Sequence, residues 1–390
     1  MTTVLAVVLP ETGARLEVTE VELAPPGPGE VLVRLHASGV CHSDLNAIDG
    51  TAPTRCPVVL GHEGAGVVEQ AGPGVALRPG QPVALSWIPW CGRCEECLRG
   101  LAHLCRTAWG AMGHGGLLDG TPRLSRQGEP VYHYSLLSTF AERAVVAERS
   151  CVPVDADVPL EVAALVGCAV ATGVGAVWNT AGVRPGERVA VLGCGGVGLS
   201  AILGAVAAGA APVLAVDVSP EKLEAALALG ATDAVRWAGD PEATAEAVRA
   251  ASGGGVDYAV EASGRPEVAE AAFLSTRARG AAVLVGIPRA DAELRLPALS
   301  VPRMERRVLG SAYGSTQPAR DFPTILGLYR SGRLPLDRLI SHRLPLEEVE
   351  AAFALLRSGG ARRVLLEPRR RQRRRRRRPA GGAGTPVKEA

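Results

Sequence analysis

The sequence predicts an α/β protein in which a β-rich first domain precedes a doubly wound parallel sheet. Three observations lead to this fold class. Residues 1 to about 35 alternate apolar and polar side chains, which is typical of half-buried strands. From residue 188 to residue 287, short apolar runs alternate with helical patterns, as βαβ units do. A glycine-rich turn joins the first of these runs to the helix that follows it.

Composition restricts the class of protein further. A chain of 390 residues allows two domains of ordinary size, and 47% hydrophobic with 21% charged residues is typical of a soluble globular protein. No apolar run is long enough to span a membrane and no basic signal start is present, so we expect a cytoplasmic protein without a membrane partner. Nine cysteines, an odd number, favour metal ligands and free thiols over disulfides.

The net charge of +2 is unevenly distributed. Residues 369–390 contain nine arginines, one lysine and one glutamate, a net +9, so residues 1–368 carry a net −7. A block of like charges predicts a disordered tail. The tail is interpreted either as an attachment site for nucleic acid or another polyanion, or as a solvated extension without a function. Nucleic acid is expected as a partner only through this tail.

The first domain is predicted to contain strands at residues 3–9, 16–23 and 30–36. Residues 109–131 are rich in glycine and polar residues, which predicts a surface excursion before a strand at 140–146. An Ala/Val-rich helical pattern follows at 160–178, and we expect Gly167, Gly173 and Gly175 to interrupt it.

The second part of the chain is predicted to be a series of βα units. After the strand that begins at residue 188, the predicted elements are helix 199–209, strand 212–217, helix 219–229, strand 234–235, helix 241–251, strand 256–261, helix 266–274 and strand 281–287. Helices at 321–331 and 346–357 and a strand at 363–367 complete the body.

The glycine-rich turn runs from Gly193 through Gly195 to Gly198 and fits the pattern G-x-G-x-x-G. In a dinucleotide site these glycines allow the tight turn, the approach of a pyrophosphate and close helix packing, in that order. Asp217 ends the next strand about 20 residues later. A carboxylate at this position accepts hydrogen bonds from the ribose hydroxyls of a bound dinucleotide and repels a 2′-phosphate. NAD is therefore favoured over NADP. The alternatives are a turn that serves only packing and an aspartate that only caps a helix.

Cysteine and histidine spacing predicts metal sites. Four cysteines have the spacing C-x2-C-x2-C-x7-C, which can close a tetrahedron around a structural zinc ion: Cys91, Cys94, Cys97 and Cys105. A redox loop or an iron–sulfur site is the alternative. Cys41 and His62 also offer ligand types that suit zinc, and Ser43 offers a hydroxyl near the thiolate. A cysteine alone is more often a small buried hydrophobic residue, and a histidine alone more often makes a structural hydrogen bond.

Taken in order, Cys41, His62-Glu63, the four-cysteine lobe, Cys168 and the glycine-rich turn resemble the zinc-dependent medium-chain alcohol dehydrogenases of class I and class III. The resemblance covers nearly all of residues 1–368. It implies a GroES-like β-barrel catalytic domain at 1–168 with the zinc lobe at about 91–105, a Rossmann NAD-binding domain at 169–312, a return to the catalytic domain at 313–368 and the tail at 369–390. It also implies a dimer or tetramer acting on a small alcohol or aldehyde.

The resemblance further implies roles for single residues. Cys41, His62 and Cys168 correspond to ligands of a catalytic zinc, the second of two zinc ions per chain. Glu63 matches the acid behind the metal, Asp44 the carboxylate that steadies His62, and Ser43 the hydroxyl that passes on a proton. The zinc would activate an alcohol for hydride transfer to NAD. The implied cofactor-binding residues are His42, Thr172, Gly193, Gly195, Gly196, Val197, Gly198, Asp217, Lys222 and Arg363.

Departures from the family pattern bear on the substrate. Asn46 stands where horse-liver-type relatives have a relay histidine, so we expect the proton to leave through the ribose hydroxyl and water. Trp109 stands where the glutathione-dependent formaldehyde branch has an arginine. Trp87, Tyr134 and Ile287 are predicted to wall a narrow pocket that favours primary alcohols, with ordinary core packing as the alternative. The rival functions are oxidation of an S-hydroxymethyl adduct of glutathione or mycothiol and, in a different class, polyanion binding through the tail.

Overall fold

The computed structural model describes residues 1–368, so the prediction of a disordered arginine-rich tail lies outside the described residues. Three sheets organise the described chain: a closed barrel, a mixed sheet beside it and a six-stranded parallel sheet. This arrangement confirms the predicted fold class of a β-barrel domain combined with a doubly wound parallel sheet.

The barrel begins with the antiparallel pair Thr2–Leu9 and Glu17–Leu23, in which Thr2 is opposite Leu23. One core cluster contains Val4, Ala6 and Val8, and a second contains Val7 and Leu9. Alternate side chains of the first strand therefore pack into two different apolar layers. The strands of the barrel, in order around it, are Thr2–Leu9, Glu17–Leu23, Leu124–Arg126, Glu129–His133 and Val58–Val59.

The mixed sheet contains strands from both ends of the chain. Arg363–Glu367 pairs antiparallel with Glu30–Gly39, which places Leu365 opposite Gly39. The C-terminal segment therefore lies in the same sheet as the first domain. The strands in order are Cys151–Pro153, Pro82–Leu85, Glu63–Ala71, Glu30–Gly39, Arg363–Glu367 and Ile340–Pro345, and Arg143–Ala147 also pairs with Glu30–Gly39.

The third sheet is parallel throughout. Its central strands are fully buried on both faces, which explains why they are continuous apolar runs in the sequence. The strand order is Asp233–Arg236, Val213–Asp217, Val189–Leu192, Val256–Glu261, Thr276–Leu284 and Arg307–Gly310. The order reverses beside Val189–Leu192, so the crevice at its carboxyl end is where a doubly wound sheet binds a ligand.

Helices cover both faces of the parallel sheet and close the ends of the barrel. Those outside the long helix described below are His42–Asp49, Glu95–Leu98, Arg106–Met112, Gly196–Ala207, Pro220–Ala228, Pro241–Ser252, Pro266–Ser275, Ser300–Met304, Pro318–Arg330 and Val349–Ser358. Short 3-10 turns lie at Ala102–Leu104, Glu148–Ser150, Tyr313–Ser315, Leu336–Leu339 and Leu346–Glu348.

The expectation of a surface excursion at residues 109–131 is wrong. This segment includes most of the helix Arg106–Met112, the strand Leu124–Arg126 and the start of Glu129–His133, and the two strands close the barrel. Leu117 and Leu124 are buried in the barrel core. The strands were not predicted because they are very short and the glycines between them, which provide tight turns, suggest a loop.

The expectation that glycines interrupt the helical pattern after residue 160 is also wrong. The chain is helical from Leu160 to Ala181, with π-helical turns at Val166–Val170 and Ala176–Ala181. The glycines serve close packing instead, since a Cβ on Gly173 would collide with the carbonyl of Val197. The π turns widen the helix without ending it.

This helix also corrects the expectation that no apolar run reaches the length of a membrane span. It has 22 residues, its most apolar window has a mean hydropathy of 1.9, and 78% of that window is buried within the protein. By length and composition it could cross a membrane, but its burial is that of a core helix. It packs between the mixed sheet and the helix Gly196–Ala207.

Candidate active site

A group of possible metal ligands lies where the mixed sheet meets the long helix. The ligand atoms of Cys41, His62, Glu63 and Cys168 all lie within 4.8 Å of one another. Cys41 is the N-cap residue of His42–Asp49, His62 directly precedes the strand Glu63–Ala71, and Cys168 lies in a π-helical turn. Two thiols and one imidazole are ligand types that suit zinc, so the residues fit the metal.

Asp44 fixes the geometry of two of these ligands. This fully buried carboxylate accepts backbone N–H bonds from Cys41 and Gly61, both at 3.1 Å. Its Oδ1 also lies 3.2 Å from Nδ1 of His62. Because a carboxylate can only accept, Nδ1 carries the proton and Nε2 of His62 is left as the lone-pair atom for a metal.

Glu63 forms a buried ion pair with Arg363, and the two residues begin strands of the same sheet. A Cβ on Gly39 would collide with the Glu63 carboxylate, so the strand between them must have glycine there. Within residues 1–368, the other oxygen of Glu63, Oε1, has no hydrogen-bond partner, nor does Nε of Arg363. These two buried atoms are free to interact with bound groups.

The group is electrostatically coupled. A hydrogen bond with Cys168 holds the pKa of Cys41 well below its ordinary value, and the same bond raises that of Cys168. Burial alone would lower the pKa of His62, but Asp44 raises it well above its ordinary value. Burial raises the pKa of Glu63 to about 7, although Arg363 opposes the rise. These shifts are coupled because the four ionisable groups share a small buried volume.

The four cysteines of the lobe form a second possible metal group. Their sulfur atoms also lie within 4.8 Å of one another, which fits a closed tetrahedral zinc site. The backbone N–H of Cys91 donates to Cys105 Sγ at 3.2 Å and that of Cys94 donates to Cys91 Sγ at 3.3 Å. Although burial opposes it, hydrogen bonds from Thr107 and the backbone lower the pKa of Cys91 to about 6, which favours a thiolate ligand.

The glycine-rich turn has the geometry of a phosphate cradle. Gly193 has a φ of 96°, in the left-handed region, and a Cβ on Gly198 would collide with the carbonyl of Gly193. In contrast, no atom of the described part of the chain lies within 4 Å of the position of a Cβ on Gly195. The space that a pyrophosphate needs is therefore open, in front of the N-terminus of Gly196–Ala207.

Arg363 connects the cofactor turn to the metal group. A Cβ on Gly196 would lie 2.5 Å from Cδ and 2.9 Å from Nη1 of Arg363. The same guanidinium pairs with Glu63. One buried cation thus lies against both the helix that would bind phosphates and the acid beside the metal ligands.

The remaining candidate cofactor residues lie in several different elements. Asp217, which is 8% exposed, accepts N–H bonds from Cys194 at 2.7 Å and Ser219 at 3.0 Å. Lys222 Nζ lies 3.4 Å from the position of a Cβ on Gly359. The other three occupy different elements: His42 is exposed at the start of its helix, and Thr172 and Val197 are half-buried in the long helix and the helix after the turn.

Two of the predicted pocket residues, Tyr134 and Trp87, make aromatic contacts. The ring of Tyr134 packs edge-on against His62 at 5.7 Å between centroids, and its hydroxyl donates to the Ser43 carbonyl at 2.6 Å. The ring of Trp87 lies 4.6 Å from Tyr313 and 5.6 Å from Trp109.

The structure does not bring the third predicted wall residue, Ile287, into this group. The strand Thr276–Leu284 ends before it, not at residue 287, and the Ile287 side chain is 75% exposed. Its role in the pocket remains a prediction. Two further predicted residues lie in the helix His42–Asp49. Ser43 Oγ lies 3.8 Å from Cys41 Sγ, and Asn46 is half-buried.

Sequence reasoning missed Tyr313 and Gly167. The Tyr313 hydroxyl donates to the Gly167 carbonyl at 2.5 Å, across 146 positions of sequence. No spacing or periodicity signals a contact between such distant residues, and a glycine inside an apolar helix predicts only a break.

Two protein-family models match the chain. The model of the alcohol dehydrogenase GroES-like domain matches residues 27–156, and that of zinc-binding dehydrogenases matches residues 196–331. The chain is 40% identical over 358 residues to an NDMA-dependent alcohol dehydrogenase of Amycolatopsis methanolica, covering 91% of this chain and 96% of that protein. It is 37% identical over 351 residues to a class-3 alcohol dehydrogenase of Myxine glutinosa, covering 89% and 93% of the two chains.

A solved structure has the same fold over nearly the whole chain. Benzyl alcohol dehydrogenase from Acinetobacter calcoaceticus aligns with a TM-score of 0.89 and 32% identity, covering 95% of this chain and all of that chain. With the metal-ligand group and the glycine-rich turn in the same structure, these similarities establish that the chain is an oxidoreductase enzyme and belongs to the zinc-dependent medium-chain alcohol dehydrogenase family.

Proposed function

We propose that this enzyme transfers hydride between a primary alcohol, or its aldehyde, and NAD, with one catalytic and one structural zinc ion per chain. The observation that carries the proposal is the group formed by Cys41, His62 and Cys168, connected through Glu63 and Arg363 to the cofactor turn. A zinc ion at this group would act as a Lewis acid on the substrate oxygen, and the nicotinamide would accept the hydride.

The residues around the group hold its parts in place. Asp44 keeps Nε2 of His62 directed at the metal position, and Arg363 compensates the buried charge of Glu63. Ser43 is the proposed first proton acceptor from the substrate. Because Asn46 cannot act as a base near neutral pH, the proton then leaves through the ribose and water.

The choice of NAD over NADP rests on Asp217. Its carboxylate ends the strand Val213–Asp217 at the edge of the cofactor crevice, where a 2′-phosphate would face a negative charge. The preference for primary alcohols rests on the bulk of Tyr134, which packs against His62, and of Trp87, which packs against Tyr313. We also propose a cytoplasmic location, which the abundance of cysteine in a tight metal-type cluster favours, and a homo-oligomeric state.

The experiment is a substrate panel with the zinc-loaded protein. NAD reduction is measured with primary, secondary and aromatic alcohols, with formaldehyde alone, and with formaldehyde plus glutathione or mycothiol. A parallel arm of the experiment measures reduction of NDMA in place of reduction of free NAD. Turnover of free primary alcohols supports the proposal, whereas turnover only in the presence of a thiol would assign the enzyme to adduct oxidation.

Two matched cysteine variants test the proposed metal group. Cys168→Ser should lower bound zinc from two ions per chain to one and abolish turnover. Cys151→Ser changes a buried free cysteine whose Sγ lies 3.9 Å from the Ala147 carbonyl, so it should keep both ions and full turnover. Equal zinc content and turnover in the two variants would refute the assignment of Cys168.

A further inference from the structure

Tyr313 lies in a short turn that holds a strained backbone next to the metal group. Tyr313, Gly314 and Ser315 have φ values of 52°, 64° and 49°, all in the left-handed region. For tyrosine and serine this region is unfavourable and persists only when surrounding contacts impose it. Such strain is concentrated at functional sites.

The long helix imposes the conformation of the turn. Thr316 Oγ1 donates to the Ala171 carbonyl at 3.2 Å, and Asn179 Nδ2 donates to the Gly314 carbonyl at 3.3 Å. A Cβ on Gly314 would lie 2.6 Å from the carbonyl of Thr172. In the chain, the turn follows the edge strand Arg307–Gly310 of the parallel sheet. In space, it packs against the helix that contains Cys168.

The result of this packing is a single directed hydrogen bond. The Tyr313 side chain is 4% exposed, and its hydroxyl lies 2.5 Å from the Gly167 carbonyl and 3.3 Å from Ser86 Oγ. The carbonyl can only accept, so the one phenol proton points at Gly167. Gly167 lies in the π-helical turn Val166–Val170, where the regular helical ladder is interrupted and a carbonyl can accept a bond from outside.

Gly167 is held from two other directions. A Cβ on it would lie 2.6 Å from the Leu85 carbonyl and 3.5 Å from Cα of Glu63. The peptide that joins Gly167 to Cys168 is therefore fixed by the mixed sheet on one side and by the Tyr313 hydroxyl on the other. Rotation of this peptide would move Sγ of Cys168 away from Cys41 and His62.

We propose that Tyr313 is a positioning residue whose hydroxyl, through the Gly167 carbonyl, fixes Cys168 as the third ligand of the catalytic metal. The proposal rests on the proposed function, because it requires a metal at Cys41, His62 and Cys168. It predicts that loss of this hydroxyl weakens metal binding and changes the ligand geometry even though the Tyr313 ring and its contact with Trp87 are retained.

Tyr313→Phe is the test, because it removes the hydroxyl and keeps the ring that packs on Trp87. Competition with a chelator should show about 10- to 100-fold weaker binding of the catalytic zinc, the range found when a group supporting a ligand is lost. The four-cysteine zinc serves as an internal control and should be unaffected. In the cobalt-substituted protein, the visible bands of the catalytic site should shift.

Tyr258→Phe is the matched control, since it makes the same chemical change in the strand Val256–Glu261 of the parallel sheet. Its catalytic zinc affinity and cobalt bands should equal those of the wild type. Unchanged affinity and bands in Tyr313→Phe would overturn the proposal, as would a lower unfolding temperature with unchanged bands, because that pattern describes a hydroxyl that only stabilises the fold.

A second variant makes the test independent of whether Tyr313→Phe folds. Tyrosine fluorinated beside its hydroxyl is nearly the same size and is a stronger hydrogen-bond donor. At position 313 it should shift the cobalt bands, and bands that do not move would overturn the proposal. A wild-type protein that binds a single zinc ion would instead overturn the proposed function, and the wild-type measurement alone reveals that outcome.

Discussion

Asp44→Asn should weaken both the fold around the metal group and the retention of the catalytic metal. Asp44 is fully buried and accepts three hydrogen bonds, from Cys41 N, Gly61 N and His62 Nδ1, at 3.1, 3.1 and 3.2 Å. An asparagine has one acceptor oxygen and one amide NH2. If the oxygen keeps Gly61 and His62, the NH2 faces the N–H of Cys41, and two donors oppose each other.

The magnitude follows from these contacts. A hydrogen bond to a charged group contributes about 1.5–3 kcal/mol, and a buried donor left without an acceptor costs about 1–3 kcal/mol. We therefore expect the free energy of unfolding to fall by about 3 kcal/mol. Loss of a carboxylate behind a ligand histidine lowers metal affinity about 10- to 100-fold, which corresponds to about 1.4–2.8 kcal/mol.

The assay has two parts. Urea unfolding of the metal-free protein measures the change in stability, and chelator competition on the zinc-loaded protein measures the change in affinity. Asp49→Asn is the control, because Asp49 ends the same helix on the surface and accepts only a local bond from Thr51 N at 2.9 Å. The reasoning would be refuted if Asp44→Asn had the same stability and the same zinc affinity as Asp49→Asn.

Four other predictions concern separate parts of the molecule. Burial lowers the pKa of His133 to about 4, below its unfolded value of about 6.5, so the stability it contributes is complete above pH 6.5 and is lost as the pH falls toward 4. Urea unfolding should show that the wild type loses about 2 kcal/mol more than His133→Gln between pH 7 and pH 5, and equal losses would contradict this. Gly195→Ala should fold normally but bind NAD at least about tenfold more weakly in a fluorescence titration, because its Cβ occupies the open space of the cradle; unchanged affinity would count against the cradle. Trp87→Ala should raise the ratio of kcat/KM for secondary over primary alcohols by about tenfold, and an unchanged ratio would argue that Trp87 is only core packing. Truncation after Pro368 changes the net charge from +2 to −7 and should leave turnover intact, so a large loss of turnover would refute the view that the tail is dispensable for catalysis.

Local chemistry allowed much of this structure to be predicted from sequence. The strand Val256–Glu261 has the predicted bounds, and Pro220–Ala228 and Pro241–Ser252 lie within one residue of theirs at each end. Ser219 and Asp240 cap these two helices through their side chains, a signal that residues carry regardless of the rest of the fold. The spacing of the four cysteines likewise determines which sulfur atoms can meet.

What could not be predicted depends on contacts between distant segments. Gly167 and Gly173 suggested breaks, yet each is a point where another backbone lies too close for a side chain. The barrel strands at Leu124–Arg126 and Glu129–His133 are only three and five residues long, too short to show periodicity. The 75% exposure of Ile287 likewise depends on the end of the strand Thr276–Leu284, three residues before it.

The late position of Arg363 in the chain has a consequence for biosynthesis. In the folded chain Glu63 is fully buried, and the cation that compensates it is encoded 300 positions later. A nascent or prematurely terminated chain that lacks the strand Arg363–Glu367 lacks the partner of this buried acid, and loss of one partner of a buried ion pair costs about 3–5 kcal/mol. Incomplete copies should therefore open readily and be degraded, so that only a chain translated to its final strand survives to become an enzyme.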